Sequence, residues 1–428
     1  MSMKTTAVRM YGKQDLRMES FDLPEIADDE ILAHIVSDSI CMSSYKAAKQ
    51  GADHKRVPND IARNPVMIGH EFCGELVKVG AKWKDRFKEG ERFGIQPAMF
   101  YPDGPVGILS APGYTYQHIG GDATYIIIPK EVMLQDCLLP YPGSAYFMGS
   151  LAEPVSCIAG AFHAQYHTSQ GSYEHRMGIV DGGTLALLAG VGPMGLGAID
   201  YAIHTNPRPR LMIVTDIDQA RIDRAKTIYT VEHAAEHGVE LHYVNTRDMS
   251  DPVAELRRYT DGAGFDDVFV FAPVKPVVEQ GDAILGSDGC LNFFAGPTDP
   301  SFSASFNFYN VHYEAHHVVG TSGGNTNDMR EALDLMGRGV VNPVAMITHV
   351  GGLDAVVETT LTLPDIPGGK KLIYTNKRMP LVAIDDFAAR GRKDPFYAKL
   401  AEICGANKNL WSEEAERYVL EHAPDITA

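Results

Sequence analysis

The stretch TLALLAGVGPMGLGAID, residues 184–200, decides the fold. Its first part, Thr184–Ala189, is a short apolar run that predicts a buried strand, and the next six residues, GVGPMG, fit the pattern G-x-G-x-x-G at the start of a predicted helix. In such a turn the first glycine permits a tight bend, the second lets the backbone approach a pyrophosphate, and the third lets the helix pack on the strand. The candidate cofactor-binding residues here are Gly190, Gly192, Pro193, Met194 and Gly195.

Asp216 extends this pattern, because it stands 21 residues after Gly195 at the end of the next predicted strand. A carboxylate there accepts hydrogen bonds from a ribose and repels a 2′-phosphate, so the segment predicts a dinucleotide site that favours NAD over NADP. Arg221 and Arg224 follow closely and could offset the repulsion, which leaves NADP(H) possible and makes Arg221 a further cofactor candidate. The alternative is that Asp216 or Asp218 merely caps the next helix.

Outward from this turn, residues 183–321 alternate strand-like runs with amphipathic stretches, which predicts a doubly wound parallel sheet. The six predicted strands are Thr184–Ala189, Leu211–Thr215, Leu241–Val244, Asp267–Phe271, Cys290–Ala295 and His317–Gly320. The first 155 residues have short strands between Gly- and Pro-rich turns and predict a β-rich domain, with residues 98–121 as a long surface loop. We therefore predict a β-rich domain at 1–165, a nucleotide-binding domain at 166–321, and a segment at 322–428 that returns to the first domain.

The composition limits the possible partners and compartment. The chain has 428 residues and a formal net charge of −17 at pH 7, which argues against general binding to nucleic acid or an anionic membrane. Its six cysteines lie far apart, so they form neither a disulfide framework nor a CxxC metal knuckle. The uncharged stretch Gly182–Ile199 contains six glycines and Pro193, which favours a strand, turn and helix over a membrane span. We expect a cytoplasmic protein with no targeting segment.

Three candidate metal ligands lie outside the glycine turn. Cys41 opens the sequence Cys-Met-Ser, His70 stands in Gly-His-Glu, and Glu153 precedes Pro154. Each has an ordinary alternative: a small buried thiol, a core histidine with satisfied hydrogen bonds, or a carboxylate at a helix N-terminus.

Taken with the glycine turn, these motifs resemble the zinc-dependent medium-chain dehydrogenases, the alcohol and polyol dehydrogenase family. The resemblance implies a GroES-like β-rich catalytic domain joined to a Rossmann NAD-binding domain. It implies a catalytic zinc held by Cys41, His70 and Glu153, with a fourth position open for substrate. It also implies catalytic roles for Ser43 in proton release and for Glu71, either as a carboxylate behind the ligands or as a ligand that exchanges in.

Runs such as SSYK at 43–46 and GDATY at 121–125 look most like the L-sorbose-1-phosphate reductase branch of that family. This implies a small-molecule substrate, a ketose or polyol phosphate (L-sorbose 1-phosphate to D-glucitol 6-phosphate), hydride transfer with NAD(P)H, and a homo-dimer or tetramer. Two alternatives stay open: a dehydrogenase of an unphosphorylated polyol or secondary alcohol, and a non-catalytic nucleotide-binding scaffold or sensor.

The chain departs from the family pattern in two places. The loop 98–121 has no cysteine, so the four-cysteine structural zinc of many relatives should be absent, leaving one zinc per chain. Lys46 stands where the family often has a histidine, and it could relay protons, hold a substrate phosphate or be a solvated lysine. The basic segment Lys46–Arg63 could likewise anchor a phosphate or be a solvated loop.

One further motif, HAAEH at residues 233–237, spells the metalloprotease pattern H-x-x-E-H. It lies between the second and third predicted strands, and Gly238 follows it as a helix stop. We interpret it as a solvated helix end.

Overall fold

A computed structural model describes residues 3–169 and 171–426 of the chain. It divides into two compact units. The first unit contains the described residues up to Pro154, Asn325–Gly339 and those from Pro343 onward, and the second contains Val155–Gly324 and Val340–Asn342. Among the described residues, no helix is long and apolar enough to cross a membrane.

The described part of the second unit is built on a parallel sheet of six strands. In chain order the strands are Thr184–Leu188, Leu211–Asp216, Glu240–Asn245, Phe265–Val270, Leu285–Phe293 and His317–Gly320. Numbered along the chain, their order across the sheet is 3-2-1-4-5-6, so the direction of winding reverses between the first and fourth strands. This is the arrangement in which dinucleotides bind at the strand ends beside the reversal. The six predicted strands and the doubly wound sheet are therefore confirmed.

Helices connect these strands, as the amphipathic stretches predicted. The helices of the second unit are Pro193–His204, Gln219–Ile228, Val231–Glu236, Pro252–Arg257, Lys275–Ile284 and Phe308–Tyr313. The helix Ala152–Ala164 crosses the division between the units, and a short antiparallel pair joins Tyr166–His167 to Arg176–Met177. The strands Thr184–Leu188 and Leu211–Asp216 are buried along their whole length, as expected for strands covered on both faces.

The described part of the first unit is β-rich, as predicted. Its larger sheet contains Ile31–Ile40, Phe72–Val79, Arg92–Ile95, Tyr125–Ile128, Leu138–Pro140, Ile347–Gly352, Lys370–Tyr374 and Val382–Ala383. A three-stranded sheet contains Lys4–Gly12, Asp15–Asp22 and Val66–Met67. Its helices are Met42–Gln50, Lys130–Leu134, Tyr146–Ser150, Thr326–Gly337, Val356–Thr362, Phe387–Gly391, Pro395–Ala406 and Glu413–His422. The late strand Lys370–Tyr374 pairs antiparallel with Ile31–Ile40, so the C-terminal part of the chain completes the sheet that the N-terminal part begins.

The prediction of residues 98–121 as a surface loop was wrong for their second half. Ala111, Tyr114 and Ile119 are buried, because this part of the chain folds onto the strand ends of the first unit. At Gly113, where φ is +76°, a Cβ atom would lie 2.0 Å from the carbonyl oxygen of Gly69. The glycine and proline content indicated where the chain turns, but it did not indicate which side chains are buried.

The last helix, Glu413–His422, contacts other parts of the first unit through a buried carboxylate. Glu416 accepts hydrogen bonds from the backbone N–H groups of Tyr146 (2.7 Å) and Phe147 (2.8 Å) and from the Tyr374 hydroxyl (3.0 Å). Burial raises the pKa of Glu416 to about 7. This contact gives the C-terminal residues a structural role, since it holds the short helix that comes just before Glu153.

We expect Glu416→Ala to lower the free energy of unfolding by about 2–4 kcal/mol, because three buried donors lose their acceptor. Urea unfolding followed by tryptophan fluorescence measures this, since the indole N–H of Trp411 donates to Tyr374 at 2.9 Å. The folded pKa lies above the unfolded one, so the stabilisation by Glu416 is complete below the unfolded pKa near ~4.3 and is lost as the pH rises through about 7.

The difference between wild type and Glu416→Ala should therefore be larger at low pH than at high pH. Glu416→Gln, which does not titrate, serves as the control and should lack this part of the pH dependence. A wild type and an alanine variant that unfold at the same urea concentration at every pH would contradict the prediction.

Candidate active site

Three potential metal ligands come together at the strand ends of the first unit. The donor atoms of Cys41, His70 and Glu71 all lie within 4.8 Å of one another. Cys41 directly follows the strand Ile31–Ile40, and His70 and Glu71 directly precede its antiparallel neighbour Phe72–Val79. The pairing of these two strands thus brings residues 29 positions apart in sequence into one cluster.

The backbone before His70 requires a glycine. Gly69 has a φ of +89°, and a Cβ atom there would lie 2.5 Å from both the Asp122 backbone nitrogen and an Asp38 carboxylate oxygen. Asp38 also accepts a hydrogen bond from the backbone N–H of Glu71 at 3.1 Å. The glycine of the Gly-His-Glu motif therefore lets the chain pass close enough to Asp38 and Asp122 to aim His70 at Cys41.

Hydroxyl groups surround the His70 imidazole. The Ser43 hydroxyl lies 3.1 Å from Nε2 and donates to the Cys41 sulfur at 3.1 Å, and the Tyr114 hydroxyl lies 3.2 Å from Nε2. The Ser44 hydroxyl lies 3.3 Å from Nδ1. Ser43 therefore contacts both of the ligands that the sequence predicted at this site.

Burial controls the protonation of the two ligands that the sequence predicted here. It lowers the pKa of His70 to about 4, which keeps the imidazole neutral, and it raises the pKa of Cys41 to about 11. A neutral imidazole is the form that binds metal, and a buried thiol needs a nearby cation to become a thiolate. The chemistry of this donor set fits zinc, which binds sulfur, nitrogen and carboxylate oxygen.

A buried lysine holds Glu71 in place. The Lys370 ammonium donates to one carboxylate oxygen of Glu71, and the Ser39 hydroxyl donates to the other. Lys370 is 7% exposed and Glu71 is 1% exposed, so this is a buried ion pair. Burial opposes the lysine's charge, but the negative charges of Glu71, Cys41 and Glu153 outweigh it and raise the pKa of Lys370. Sequence reasoning missed Lys370, which lies 299 residues from Glu71 in the chain.

Glu153 lies at the edge of the cluster rather than within it. It occupies the first turn of the helix Ala152–Ala164. Burial is the main cause that raises the pKa of Cys41 and of Tyr114, and the charge of Glu153 adds to it in both cases. Among the described residues, however, the group within 4.8 Å contains Glu71 and not Glu153. The structure therefore brings Cys41 and His70 together and places two carboxylates, Glu71 and Glu153, near them.

Two side chains of the basic segment, His54 and Arg56, lie beside Tyr114. The His54 ring stacks on the Tyr114 ring at 5.8 Å, and the Arg56 guanidinium lies 5.8 Å from that ring's centre. Burial first, and then the charges of Arg56, Lys55 and Lys46, lower the pKa of His54 to about 4. Arg56 also contributes to the lowered pKa of His70. Part of the predicted basic segment thus lies beside the metal-ligand cluster, and Tyr114, which sequence reasoning missed, connects them.

The glycine turn in the second unit has the geometry that the predicted pattern requires. At Gly190 a Cβ atom would lie 2.8 Å from the Leu187 carbonyl oxygen, so the tight turn needs a glycine there. Gly192 has open space where a Cβ atom would be, as the approach of a pyrophosphate requires, and at Gly195 a Cβ atom would lie 2.2 Å from the Gly190 carbonyl oxygen. The left-handed φ of the turn (+54°) belongs to the preceding residue, Ala189. Pro193 and Met194 begin the following helix, whose N-terminus favours an anion.

Asp216 ends the second strand of the sheet and does not cap the next helix. Its Oδ1 atom accepts from the backbone N–H groups of Ile217 (2.8 Å) and Asp218 (3.0 Å). The cap is Asp218, which accepts from the Arg221 backbone at 3.2 Å, and the Arg221 side chain lies 3.7 Å from the same carboxylate.

A doubly wound parallel sheet in one unit, and a thiol, an imidazole and a carboxylate close together in a β-rich unit, are the features expected of the zinc-binding dehydrogenase class. Comparison with known proteins agrees. The zinc-binding dehydrogenase family model matches residues 193–338, and the alcohol dehydrogenase GroES-like domain matches residues 27–140.

Two curated relatives match over nearly their whole length. The chain is 54% identical over 418 residues to mannitol-1-phosphate 5-dehydrogenase of Aliivibrio fischeri, covering 98% of both chains. It is 50% identical over 423 residues to L-sorbose 1-phosphate reductase of Klebsiella pneumoniae, covering 99% of both. The chain therefore belongs to the zinc-type medium-chain alcohol and polyol dehydrogenase family, as the sequence motifs predicted, and is an oxidoreductase.

Among solved structures, 2R,3R-butanediol dehydrogenase from Bacillus subtilis has the same fold. It is similar with a TM-score of 0.66 at 21% identity, over 86% of this chain and 99% of that one. The predicted combination of a GroES-like domain with a Rossmann domain is confirmed.

Proposed function

We propose that this protein is a zinc-dependent oxidoreductase that transfers hydride between NAD(P)H and a ketose or polyol phosphate. The first candidate reaction is L-sorbose 1-phosphate + NADH + H⁺ → D-glucitol 6-phosphate + NAD⁺. The observation that carries the proposal is the position of Arg56, whose guanidinium lies 5.8 Å from the centre of the Tyr114 ring, while the Tyr114 hydroxyl lies 3.2 Å from His70. A cation that could bind a phosphate therefore lies close to candidate ligands for a zinc ion, which supports the proposal. The two curated relatives support the substrate class, because both names specify a phosphorylated six-carbon sugar or polyol.

Cys41 and His70 would hold the zinc, with Glu153 or Glu71 as the carboxylate ligand. When bound there, zinc supplies Lewis acidity that polarises a ketose carbonyl or lowers the pKa of an alcohol. The Ser43 hydroxyl, 3.1 Å from both Cys41 Sγ and His70 Nε2, would hold the proton that the substrate oxygen gains or loses. The open backbone at Gly192 would receive the cofactor pyrophosphate, and Asp216 would accept hydrogen bonds from its ribose, with NADP(H) used less well.

We also propose, from the family resemblance, a cytoplasmic homo-dimer or tetramer with domains at 1–165, 166–321 and 322–428. Light scattering of the purified protein tests the oligomeric state. The loop 98–121 contains no cysteine, so we propose one zinc ion at the Cys41 and His70 site and none in that loop.

The direct test is the rate of NADH and NADPH oxidation with L-sorbose 1-phosphate, fructose phosphates and free ketoses, each with and without a chelator. We expect faster turnover of the phosphorylated sugars and loss of activity on removal of zinc. Equal rates on free and phosphorylated sugars would favour a dehydrogenase of unphosphorylated polyols. NADH binding without any turnover in the zinc-loaded protein would favour a nucleotide-binding scaffold.

Arg56→Met tests the phosphate anchor. We expect the KM for the phosphorylated substrate to rise about 10–100-fold with little change in kcat, because a hydrogen bond to a charged group is worth about 1.5–3 kcal/mol. The exposed Arg63 of the same basic segment supplies the control, and Arg63→Met should behave like wild type. An unchanged KM in Arg56→Met would rule out this residue as the anchor.

Lys46→Met separates the alternatives for that lysine. A phosphate contact predicts a raised KM for the phosphorylated sugar, whereas a proton relay predicts a lowered kcat and an altered pH profile on every substrate. A solvated lysine predicts no change in either constant.

A further inference from the structure

Three histidines meet in the second unit, within the part of the fold that holds the glycine turn. His204 is the last residue of the helix Pro193–His204, and His233 and His237 lie one helical turn apart at the end of Val231–Glu236. Each offers a ring nitrogen within 4.8 Å of the others. The prediction that HAAEH ends a helix is confirmed, and Gly238 follows it at φ +80°. The prediction of a solvated end did not include His204, which lies on another helix and contacts the motif.

The rings are turned toward one another. The Nε2 atoms of His204 and His233 lie 3.0 Å apart, and the His237 ring is 4.7 Å from His204 and 4.8 Å from His233 between ring centres. A hydrogen bond between two neutral imidazoles accounts for the first contact alone. It does not account for a third imidazole directed to the same point.

The outer nitrogens of two rings face hydrogen-bond acceptors. His204 Nδ1 lies 2.9 Å from the carbonyl oxygen of Asp200 and 3.1 Å from its carboxylate, and His233 Nδ1 lies 3.7 Å from the Glu236 carboxylate. Asp200 is itself buried and accepts from the Asn342 backbone at 2.6 Å. Metal-binding histidines are commonly oriented in this way, with one nitrogen donating to a carboxylate or carbonyl and the other left for the ion.

We propose that His204, His233 and His237 form a binding site for a divalent first-row transition-metal ion. At the usual Zn–N distance, two tetrahedral ligands lie about 3.4 Å apart, close to the 3.0 Å between the Nε2 atoms of His204 and His233. Imidazole nitrogens suit zinc, copper and nickel, and the fourth position would be filled by water. A bound ion would tie the end of the helix that begins at the glycine turn to the helix Val231–Glu236.

The neighbouring groups permit this assignment. The Arg208 guanidinium donates to the backbone carbonyl of His237 at 2.7 Å, so it fixes the chain without occupying the ring nitrogens. The site is independent of the proposed catalytic zinc, since it shares none of the residues assigned to it.

The test is the metal content of wild-type protein stripped with a chelator, reloaded with zinc and freed of excess ions by gel filtration. We expect two ions per chain in wild type, and one in both the double variant His233→Ala/His237→Ala and the variant Cys41→Ser. His242→Ala is the matched control, because His242 is a partly exposed histidine of the same unit that bonds to Glu240 and lies outside the cluster. It should retain two ions.

Cobalt substitution shows which site is filled. The Cys41 site should give a thiolate-to-cobalt absorption that Cys41→Ser abolishes. The histidine site should give cobalt absorption without a thiolate band, lost only in the double histidine variant. Retained NADH binding shows that each variant is folded. Equal metal contents in wild type and the double histidine variant would overturn the proposal, whether or not the Cys41 site binds zinc.

Discussion

Replacing Cys41 with serine should lower kcat/KM about 10³-fold or more and remove the proposed zinc ion from the first unit. The Cys41 sulfur lies within 4.8 Å of the His70 and Glu71 donor atoms, so its loss would remove one of the proposed zinc ligands. Lewis acidity of a bound metal supplies several kcal/mol of transition-state stabilisation, in which each ~1.36 kcal/mol is a factor of ten in rate. Steady-state kinetics with the phosphorylated ketose and metal analysis of the same preparation measure both effects.

Cys404→Ala is the control for this substitution. Cys404 is a buried free thiol of the first unit in the helix Pro395–Ala406, so it tests the loss of a thiol without the loss of a ligand. We expect that variant to keep its metal and its activity, and Cys41→Ser to keep NADH binding because the glycine turn lies in the other unit. Full activity in zinc-free Cys41→Ser would contradict the mechanism.

Sequence reasoning succeeded where local chemistry is decisive. The glycine turn needs small residues at fixed spacing, and buried parallel strands are continuous apolar runs, so the six strands of the second unit were predictable from sequence. The positive φ of Ala189 was not predictable in the same way, because the motif states which side chains must be small and not which φ is positive.

The parts of the site that sequence reasoning missed depend on long-range contacts. Lys370 lies 299 residues from Glu71, and it reaches that carboxylate only because Lys370–Tyr374 pairs with Ile31–Ile40. Tyr114 lies in a loop whose composition predicted exposure, yet close approach at Gly113 turns it inward. Neither contact can be predicted from the hydrophobic periodicity of the neighbouring sequence. Similarly, His204 and the HAAEH motif lie on separate helices, and only the folded sheet brings them together.

The ion pair between Lys370 and Glu71 leads to the second large expected effect. Both side chains are buried, and removing one partner of a buried pair leaves an uncompensated charge that typically costs about 3–5 kcal/mol. We therefore expect Lys370→Met to lower the free energy of unfolding by that amount, measured by urea unfolding of the metal-free protein so that zinc binding does not contribute.

The double variant Glu71→Gln/Lys370→Met distinguishes two causes of the expected destabilisation: an unpaired buried charge and the loss of side-chain packing. If the cost of Lys370→Met comes from the unpaired Glu71 carboxylate, neutralising that carboxylate should restore most of the stability, and the two substitutions should be strongly non-additive. Lys371→Met is the control, because Lys371 is a buried neighbour whose ammonium donates to the Pro367 and Gly369 carbonyls and, within the described residues, pairs with no carboxylate. Its cost should be smaller and unaffected by Glu71→Gln. Additive effects of Glu71→Gln and Lys370→Met would show that the two side chains stabilise the fold separately, and that the carboxylate beside Cys41 and His70 is held by something other than this lysine.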